Sequence, residues 1–367
     1  MPIKVAYLLG AGASEGVLKY GGALKSILMQ SIQYSIAQKI SEEEMIQLVD
    51  VSNDLVSGAD IEHLITLYEA SGTKRHNDIA KQLRGLFRQE IRKRINELGT
   101  SFFPNLFASL IDMHSISRLN EELVLILTTN YEDLLEKAMQ QVSGGINYLI
   151  ATICKDDNYS VNTNCFPVLK LHGSFNWRNE YPIAIQSEIE EEEDTLWIPP
   201  GVIKRRESYP FNVIWGRARE LLKCDILRVI GSSLSRNDWE LVALLYITQK
   251  LRTDNEAPYT IELIDYPSVC DKIKEQYCYL KIKTILEIDE VREYIIRTYL
   301  PRDLEKKEVA EDKIREVAKY ITQDKENIFA LWLRAKGEKL FYNDIPLTTP
   351  KRFFEQFIRS GLGATYE

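Results

Sequence analysis

The chain has 367 residues, of which 45% are hydrophobic and 27% charged, the composition of a soluble globular protein with one large core. Its net charge of −8 argues against sequence-independent binding to nucleic acid, and the sequence gives no strong signal for such a partner. The five cysteines form no CxxC pair, which argues against a disulfide framework and a four-cysteine zinc site. We expect reduced thiols and a cytoplasmic protein, with neither a signal peptide nor a membrane span.

The first predicted strand is an apolar run over residues 3–9, which Gly10 ends. A glycine-rich turn, GAGAS at residues 10–14, follows it, and we predict a helix from near Ala23. Residues 27–119 are expected to be almost entirely helical, which makes them a large helical insertion after the first βα unit. Residues 41–44 have the Ser-x-x-Glu pattern of a capping box. The apolar residues that recur every four positions are Ile79, Leu83, Phe87, Ile91 and Ile95.

Further apolar runs predict strands at residues 123–128, 167–171, 226–230 and 259–264. Their alternation with helical patterns favours an α/β fold with a parallel sheet covered by helices on both faces. After about residue 300 the sequence becomes charged and helical, then aromatic. We therefore predict one α/β domain over residues 1–299 and a C-terminal helical element over residues 300–367. The aromatic residues of this element could form a docking surface or serve for packing, and we favour packing.

Each predicted strand is followed by a short cluster of Gly, Ser, Asn, His or Asp. Because ligands of open parallel sheets bind at the carboxyl ends of the strands, these clusters predict one extended ligand. The GAGAS turn is of the kind that holds a phosphate, although Glu15 interrupts a full GxGxxG pattern. Asp265 could accept hydrogen bonds from ribose hydroxyls or be only a turn residue. Ser232 and Ser233 could donate to phosphate or ribose, or only cap a helix.

Five motifs follow one another along the chain: GAGAS at 10–14, TTNYED at 128–133, KLHGS at 170–174, IPPGVIK at 198–204 and GSSLSRNDWEL at 231–241. Together they resemble the sirtuin-like domains of prokaryotic anti-phage defence proteins, over about residues 3–290. The resemblance implies a Rossmann-like sheet that binds NAD, with NAD as the substrate that is consumed. It also implies that Asn130 orders a water near the nicotinamide ribose and that His172 is the catalytic histidine. The other NAD-binding positions that we infer are Gly10, Ala11, Gly12, Ser14, Thr129, Glu132, Asp133, Gly231, Ser232, Ser233 and Asp265.

The sequence departs from sirtuin deacylases in three places. Its cysteines cannot build their zinc module, so we expect no metal. The GIPxFR segment that follows their glycine loop is replaced by GVLKYGGALKS. The Asp of their TQNID motif becomes Glu132, with Asp133 next to it, so either acid could contact nicotinamide. These departures favour an NAD hydrolase, an activity expected to be latent, over a protein deacylase.

Nicotinamide in NAD is already a cationic leaving group, so the reaction needs an oriented water and a proton acceptor rather than a strong acid. Two other hypotheses stay open, a protein deacylase and a non-catalytic sensor of NAD or ADP-ribose. The product could be ADP-ribose or a cyclic form. The resemblance further suggests a homo-oligomer, an anti-phage role through NAD depletion, and a HerA-type ATPase as partner.

Overall fold

The computed structural model describes residues 1–99, 101–116, 119–149, 152–154, 165–180, 183–186, 189, 194–201, 206–250, 259–299, 313–317, 327–341, 353, 354, 357 and 358. The strands in these residues are β1 (Ile3–Leu9), β2 (Glu121–Thr128), β3 (Thr152–Cys154), β4 (Val168–Lys170), β5 (Gly173–Arg178), β6 (Ile183–Ile185), β7 (Thr195–Trp197), β8 (Ile226–Ile230), β9 (Thr260–Ile264) and β10 (Ile282–Lys283).

Six of these strands form the main sheet, in the order β10-β9-β8-β1-β2-β4. Every neighbouring pair in it is parallel, which confirms the predicted parallel sheet and all five predicted strands. The chain runs from β1 outward to β4 and then returns beside β1 with β8. This is the Rossmann order, and it leaves a crevice at the carboxyl ends of β1 and β8, where the direction of the strand order reverses.

A second sheet, β3-β6-β5-β7, was not predicted. Its strands have three to six residues, too few to show the alternation of polar and apolar side chains that identifies a strand in sequence. Its strand β5 follows directly on β4, so this part of the second sheet lies close to the carboxyl end of that strand.

The helices named by their bounds are α1 (Ala11–Tyr20), α2 (Met29–Glu42), α3 (Val49–Val56), α4 (Ile61–Ala70), α5 (Lys74–Asn96), α6 (Asn105–Met113), α7 (Leu134–Ser143), α8 (Phe211–Leu221), α9 (Trp239–Lys250), α10 (Pro267–Gln276), α11 (Asp289–Tyr299) and α12 (Ile328–Phe341). Helices α2 to α6 lie between β1 and β2 and fill the predicted helical insertion. The five apolar residues that recur every four positions in α5 are all buried.

Two local predictions in the N-terminal part are wrong. The first helix begins at Ala11, not near Ala23, because burial of residues 13–18 stabilises a helix that starts directly at the glycine turn. Residues 41–44 do not start a helix: α2 ends at Glu42, and Glu44 has a positive φ of 50°. The buried isoleucines of α2 continue the helical period as far as Ile40, which overrides the local capping pattern.

The C-terminal helix α12 packs on the main sheet through a buried polar network that we call the sheet-face cluster. It consists of Tyr7, Glu121, Arg228, Glu262 and Lys336. Tyr7, Arg228 and Glu262 stand opposite one another on β1, β8 and β9, so they project from the same face of the sheet. Arg228 is fully buried and makes a bidentate pair with Glu121, at 2.6 and 2.7 Å. The ring of Trp332 from α12 lies 5.3 Å from its guanidinium.

Other aromatic residues near the C-terminus also pack against the core, as the sequence analysis favoured: Phe329 is buried and Phe353 is partly buried. Phe329 packs against Phe107 of α6, and Phe353 packs against Phe103, with ring centroids 6.0 and 5.2 Å apart. Phe341 and Tyr342 fall outside the residues whose side chains the structure describes. In the described part of the chain, no helix combines the length and the hydropathy needed to cross a membrane.

Candidate functional site

The turns after β1 and β8 touch each other through glycines. Gly12 N donates to Gly231 O at 2.7 Å, and Gly10 N donates to Ile230 O at 3.0 Å. A Cβ on Gly231 would lie 2.0 Å from Ala13 N, and one on Gly10 would lie 2.6 Å from Gly231 O. These glycines are therefore needed for the close approach of the two loops. Helix α1 starts at this contact, with the exposed Ala11 at its first position, so its N-terminus opens on the crevice.

Three buried side chains from α1 and the loop after β2 form what we call the edge cluster: Ser14, Asn130 and Glu132. Asn130 Nδ2 donates to Gly10 O at 2.9 Å and to Ser14 Oγ at 2.8 Å. Ser14 Oγ in turn donates to Glu132 Oε1. Ser14 is fully buried, and Asn130 and Glu132 are 7% and 8% exposed. Asn130 is thereby tied to the start of the helix that follows the glycine turn.

A buried ion pair lies behind the edge cluster. Lys170, at the end of β4, donates to Glu132 O and to Glu136 Oε1, at 2.6 and 2.7 Å. Tyr148 also donates to Glu136 Oε1, at 3.0 Å. Burial raises the pKa of Glu132, while the charge of Lys170 and the hydrogen bond from Ser14 act in the opposite direction. The loop that carries Asn130 is therefore anchored to β4 by charged hydrogen bonds.

His172 follows β4 at the same edge of the sheet and is 3% exposed. Its ring lies between Tyr131 and Trp215, with centroid distances of 6.2 and 6.4 Å. Its Nε2 lies 3.8 Å from Asp238 Oδ1, on the loop that follows β8. Trp215 Nε1 donates to the carbonyl of the neighbouring Leu171 at 3.0 Å. The imidazole is thus held in an aromatic setting with one carboxylate beside it.

An aromatic cluster extends this setting towards the helical insertion. Tyr131 stacks on Phe175 at 5.3 Å and meets Trp197 edge-on at 5.1 Å. Phe87, from α5 of the insertion, packs on both Tyr131 and Trp197. Arg92 of the same helix donates to Phe175 O at 2.8 Å. The insertion therefore covers the aromatic residues beside His172, and we call His172 with these surroundings the His172 pocket.

A second contact joins the insertion to the loop after β8. Asn237 Nδ2 donates to Glu62 Oε2 at 2.7 Å and lies 3.3 Å from Asp60 Oδ2, both near the start of α4. Asn237 is next to Asp238, the residue beside His172. The start of α4 is therefore bonded to the residue that precedes Asp238 in the chain.

The remaining candidate residues lie around this centre. Thr129 N donates to Leu9 O at 3.2 Å, which joins the ends of β2 and β1. Ser232 lies against Gly10, and Ser233 next to it is exposed. Asp265 follows β9, next to the Gly231 loop, and burial raises the pKa of its carboxyl to about 6. Asp133 instead pairs with Lys137 of α7 at 3.1 Å, on the outer side of the loop.

The structure thus brings the glycine loops, Ser14, Asn130 and Glu132 into direct contact and places His172 on the adjacent strand end. Sequence reasoning did not single out Asp238, Lys170 or Trp215 as parts of the site. Asp238 and Lys170 lie within quoted motifs, but nothing in those motifs shows which residue each one faces. Trp215 lies on α8, outside every motif.

The donors and acceptors on this edge fit a dinucleotide. A helix N-terminus is suited to a pyrophosphate, and a carboxylate at the end of a nearby strand, such as Asp265 after β9, is suited to ribose hydroxyls. Among the described residues, no group of three or more His, Cys, Asp or Glu side chains is placed to hold a metal ion. Three of the cysteines, Cys165, Cys224 and Cys270, are buried free thiols, and Cys278 is an exposed one.

Three comparisons with known proteins were made. No curated protein matches the sequence. A solved structure described as "Structural Basis for the Mechanism and Regulation of Sir2 Enzymes" is 16% identical, covering 89% of this chain and 93% of that one, with a TM-score of 0.37. The family model of the SIR2-like domain matches residues 124–274, which include the strand ends that carry Asn130, His172 and Gly231. This part of the chain is therefore similar to the SIR2-like domain.

Proposed function

We propose that this protein is an NAD hydrolase that cleaves the bond between nicotinamide and ribose. The observation that carries the proposal is that Asn130 and His172 follow the adjacent strands β2 and β4, beside the glycine contact of β1 and β8. A dinucleotide with its pyrophosphate at the N-terminus of α1 would have one ribose within reach of both residues. The match of residues 124–274 to the SIR2-like domain supports NAD as the ligand.

The chemistry asks little of the protein beyond orientation. The bond between C1′ and the pyridinium nitrogen breaks with its electron pair going to nicotinamide, and a water oxygen forms the new bond to C1′. Asn130 would hold that water, and His172 would accept its proton or bind the ribose hydroxyls. The aromatic rings around His172 exclude bulk water, which strengthens its interaction with the charge that develops on the ribose.

The helical insertion supports a small substrate over an acylated protein. Phe87 and Arg92 of α5 pack on the aromatic cluster, and Asp60 and Glu62 at the start of α4 bind the loop next to Asp238. These contacts cover the side of the pocket that faces the insertion, and an acyl-lysine peptide would compete with them for space. They also supply a way to keep the activity latent until the insertion moves.

The proposal is tested by chromatography of the products formed from NAD by the wild-type chain, Asn130→Ala and His172→Ala. Wild type should release nicotinamide with ADP-ribose or its cyclic form, and each variant should lose about 10²-fold or more in rate. Calorimetry with NAD shows whether the variants still bind. An acyl-lysine peptide forms the control reaction. Turnover that needs the peptide would replace the proposal by a deacylase, and NAD binding without turnover in any state would replace it by a sensor.

We further propose that the chain acts in anti-phage defence by depleting NAD, as a homo-oligomer activated in a complex with a HerA-type ATPase. The resemblance of its ordered motifs to defence proteins is what supports this role and these partners. Co-expression with the ATPase, followed by size-exclusion chromatography and NAD measurement during infection, tests it. A stable monomer that ignores the ATPase and leaves cellular NAD unchanged would contradict it.

A further inference from the structure

We propose that Ser14 and Glu132 form a hydrogen-bond relay that fixes which end of the Asn130 amide faces the NAD crevice. Both are then positioning residues, because they act through Asn130 and need not touch substrate. The inference rests on the NAD hydrolysis proposed above and assigns a task to Glu132, the residue at the position where sirtuins carry an aspartate.

The relay starts at a carbonyl that can only accept. Gly10 O lies 2.9 Å from one end of the Asn130 amide, so that end must be the NH2 group, Nδ2. The other hydrogen of Nδ2 then points at Ser14 Oγ, 2.8 Å away. Both hydrogens of the amide are thereby used, and the amide cannot flip without placing its oxygen against the Gly10 carbonyl.

Glu132 sets the direction of the second bond. Ser14 has one hydroxyl hydrogen, and the acceptor for it is Glu132 Oε1. With its hydrogen directed to the carboxylate, Ser14 Oγ presents lone pairs to Asn130 Nδ2. Lys170 lies behind, bonded to the backbone carbonyl of Glu132 and to Glu136; burial raises the pKa of Glu132, and the charge of Lys170 opposes that rise. Ser14 and Glu132 therefore specify a donor on the inner side of the Asn130 amide.

As a consequence, the amide oxygen of Asn130, which is an acceptor, lies on the side that faces the crevice. Among the described residues, none donates to Asn130 Oδ1, so this oxygen is left for a ligand or a water at the crevice. A water that donates one hydrogen to Oδ1 keeps its lone pairs free for C1′ of the ribose. An amide flipped the other way would donate to the water oxygen and occupy the lone pair that the reaction needs. The relay thus selects the productive orientation.

A double-mutant cycle tests whether Ser14 acts through Asn130. Ser14→Ala alone should lower kcat for NAD by about 10²-fold with little change in KM, since it misplaces the water and not the substrate. In the Asn130→Ala background the same change should lower kcat no further. Ser52→Ala is the matched control, because Ser52 is also buried and donates to a backbone carbonyl, Ala37 O, but lies in the insertion. Equal losses from Ser14→Ala in both backgrounds would overturn the relay.

Glu132 is tested by two substitutions of similar size. Glu132→Gln keeps an oxygen that can accept from Ser14 and should retain most of kcat, whereas Glu132→Leu removes the acceptor and should match Ser14→Ala. If Glu132→Gln is as slow as Glu132→Leu, the residue acts through its charge and not as the end of the relay.

A readout that needs no turnover separates this inference from the proposed function. In protein labelled with 15N-asparagine, the side-chain signals of Asn130, assigned by their absence in Asn130→Ala, should exchange slowly with solvent. Ser14→Ala and Glu132→Leu should speed exchange, and Glu132→Gln and Ser52→Ala should not. If the wild-type chain hydrolyses NAD in no state, alone or with its activating partner, but these signals behave as stated, the relay stands and the NAD hydrolase fails. Fast exchange in the wild type would overturn the relay even if NAD is hydrolysed.

Discussion

The main sheet carries two buried polar clusters, and they differ in how completely their groups are paired. In the sheet-face cluster the guanidinium of Arg228 bonds Glu121, Glu262 and Tyr7. In the edge cluster Asn130 donates to Ser14 and Ser14 donates to Glu132, while Asn130 Oδ1 has no donor among the described residues. The first arrangement holds helix α12 to the sheet, and the second leaves an atom for a ligand.

The pKa values of the acids in the sheet-face cluster and at the crevice differ in the same way. Burial alone would raise the pKa of Glu121, but the hydrogen bonds and charge of Arg228, with the charge of Lys336, lower it to about 2. Burial raises the pKa of both Glu132 and Asp265, and at Asp265 no cation among the described residues offsets it. A carboxyl group whose charge is opposed by burial costs stability, and such residues persist where a ligand needs them. The contrast predicts that substitutions will act with opposite signs in the two regions.

The largest effect is expected in the sheet-face cluster. Arg228→Met should lower the free energy of unfolding by about 3–5 kcal/mol, because it leaves Glu121 and Glu262 buried without their cation. Urea unfolding at pH 7.5 measures it. Arg217→Met, which removes a half-exposed arginine paired with Glu220, is the control and should change stability by less than about 0.5 kcal/mol. A loss below about 1 kcal/mol for Arg228→Met would show that the cluster is not an anchor.

The next effect tests the glycine contact at the crevice. Gly231 has a φ of 61°, and a Cβ there would meet the backbone of Gly12 and Ala13. Gly231→Ala should therefore cost about 3 kcal/mol in unfolding free energy, and the folded fraction should bind NAD poorly because the two loops are pushed apart. Gly216→Ala is the matched control, since Gly216 lies in helix α8 with open space around it. This substitution should raise the free energy of unfolding by about 1 kcal/mol. Unchanged NAD affinity in Gly231→Ala would place the ligand elsewhere.

The third prediction is a substitution that raises the free energy of unfolding instead of lowering it. The folded state holds the proton of Asp265 more tightly than the unfolded chain does, so its contribution to stability is lost as the pH rises from about 4 through about 6. At pH 7.5 Asp265→Asn should raise the free energy of unfolding by on the order of 2 kcal/mol. It should also weaken NAD binding about tenfold, because a charged acceptor for the ribose is lost.

The wild-type affinity should itself fall below about pH 6, while that of Asp265→Asn should stay flat across the same range, as calorimetry at several pH values would show. Asp271→Asn, a half-exposed acid paired with Arg315, is the control for both measurements. If Asp265→Asn destabilises the fold at pH 7.5, Asp265 belongs with the structural acids and not with the site.

The smallest effect is expected at Asp133. Its carboxylate pairs with Lys137 at the start of α7 and makes no capping bond, so Asp133→Ala should change stability by less than about 0.5 kcal/mol. NAD turnover should stay at the wild-type rate, in contrast to Glu132→Leu. A large loss of turnover in Asp133→Ala would assign the nicotinamide contact to Asp133.

By itself the sequence determined the alternation of strands and helices. The apolar runs of β1 and β8 stop at glycines, and helical periodicity fills residues 27–119, because both patterns follow from local backbone preference and burial. The polar residues at the strand ends followed from the same reading, since parallel strands bring their carboxyl ends to one edge. The start of α1 was missed because a glycine-rich turn and the first turn of a helix share the same residues.

Which side chains form hydrogen bonds and ion pairs with each other was decided only by the tertiary structure. Arg228 stands in an apolar strand sequence, and nothing along the chain shows that Glu121 lies 2.6 Å away, more than a hundred residues earlier. The same holds for Asp238 beside His172 and for Glu132, whose carboxylate accepts from Ser14 while Asp133 turns outward. A hydrogen bond depends on a few tenths of an ångström and on direction, and these are set by packing between elements distant in sequence.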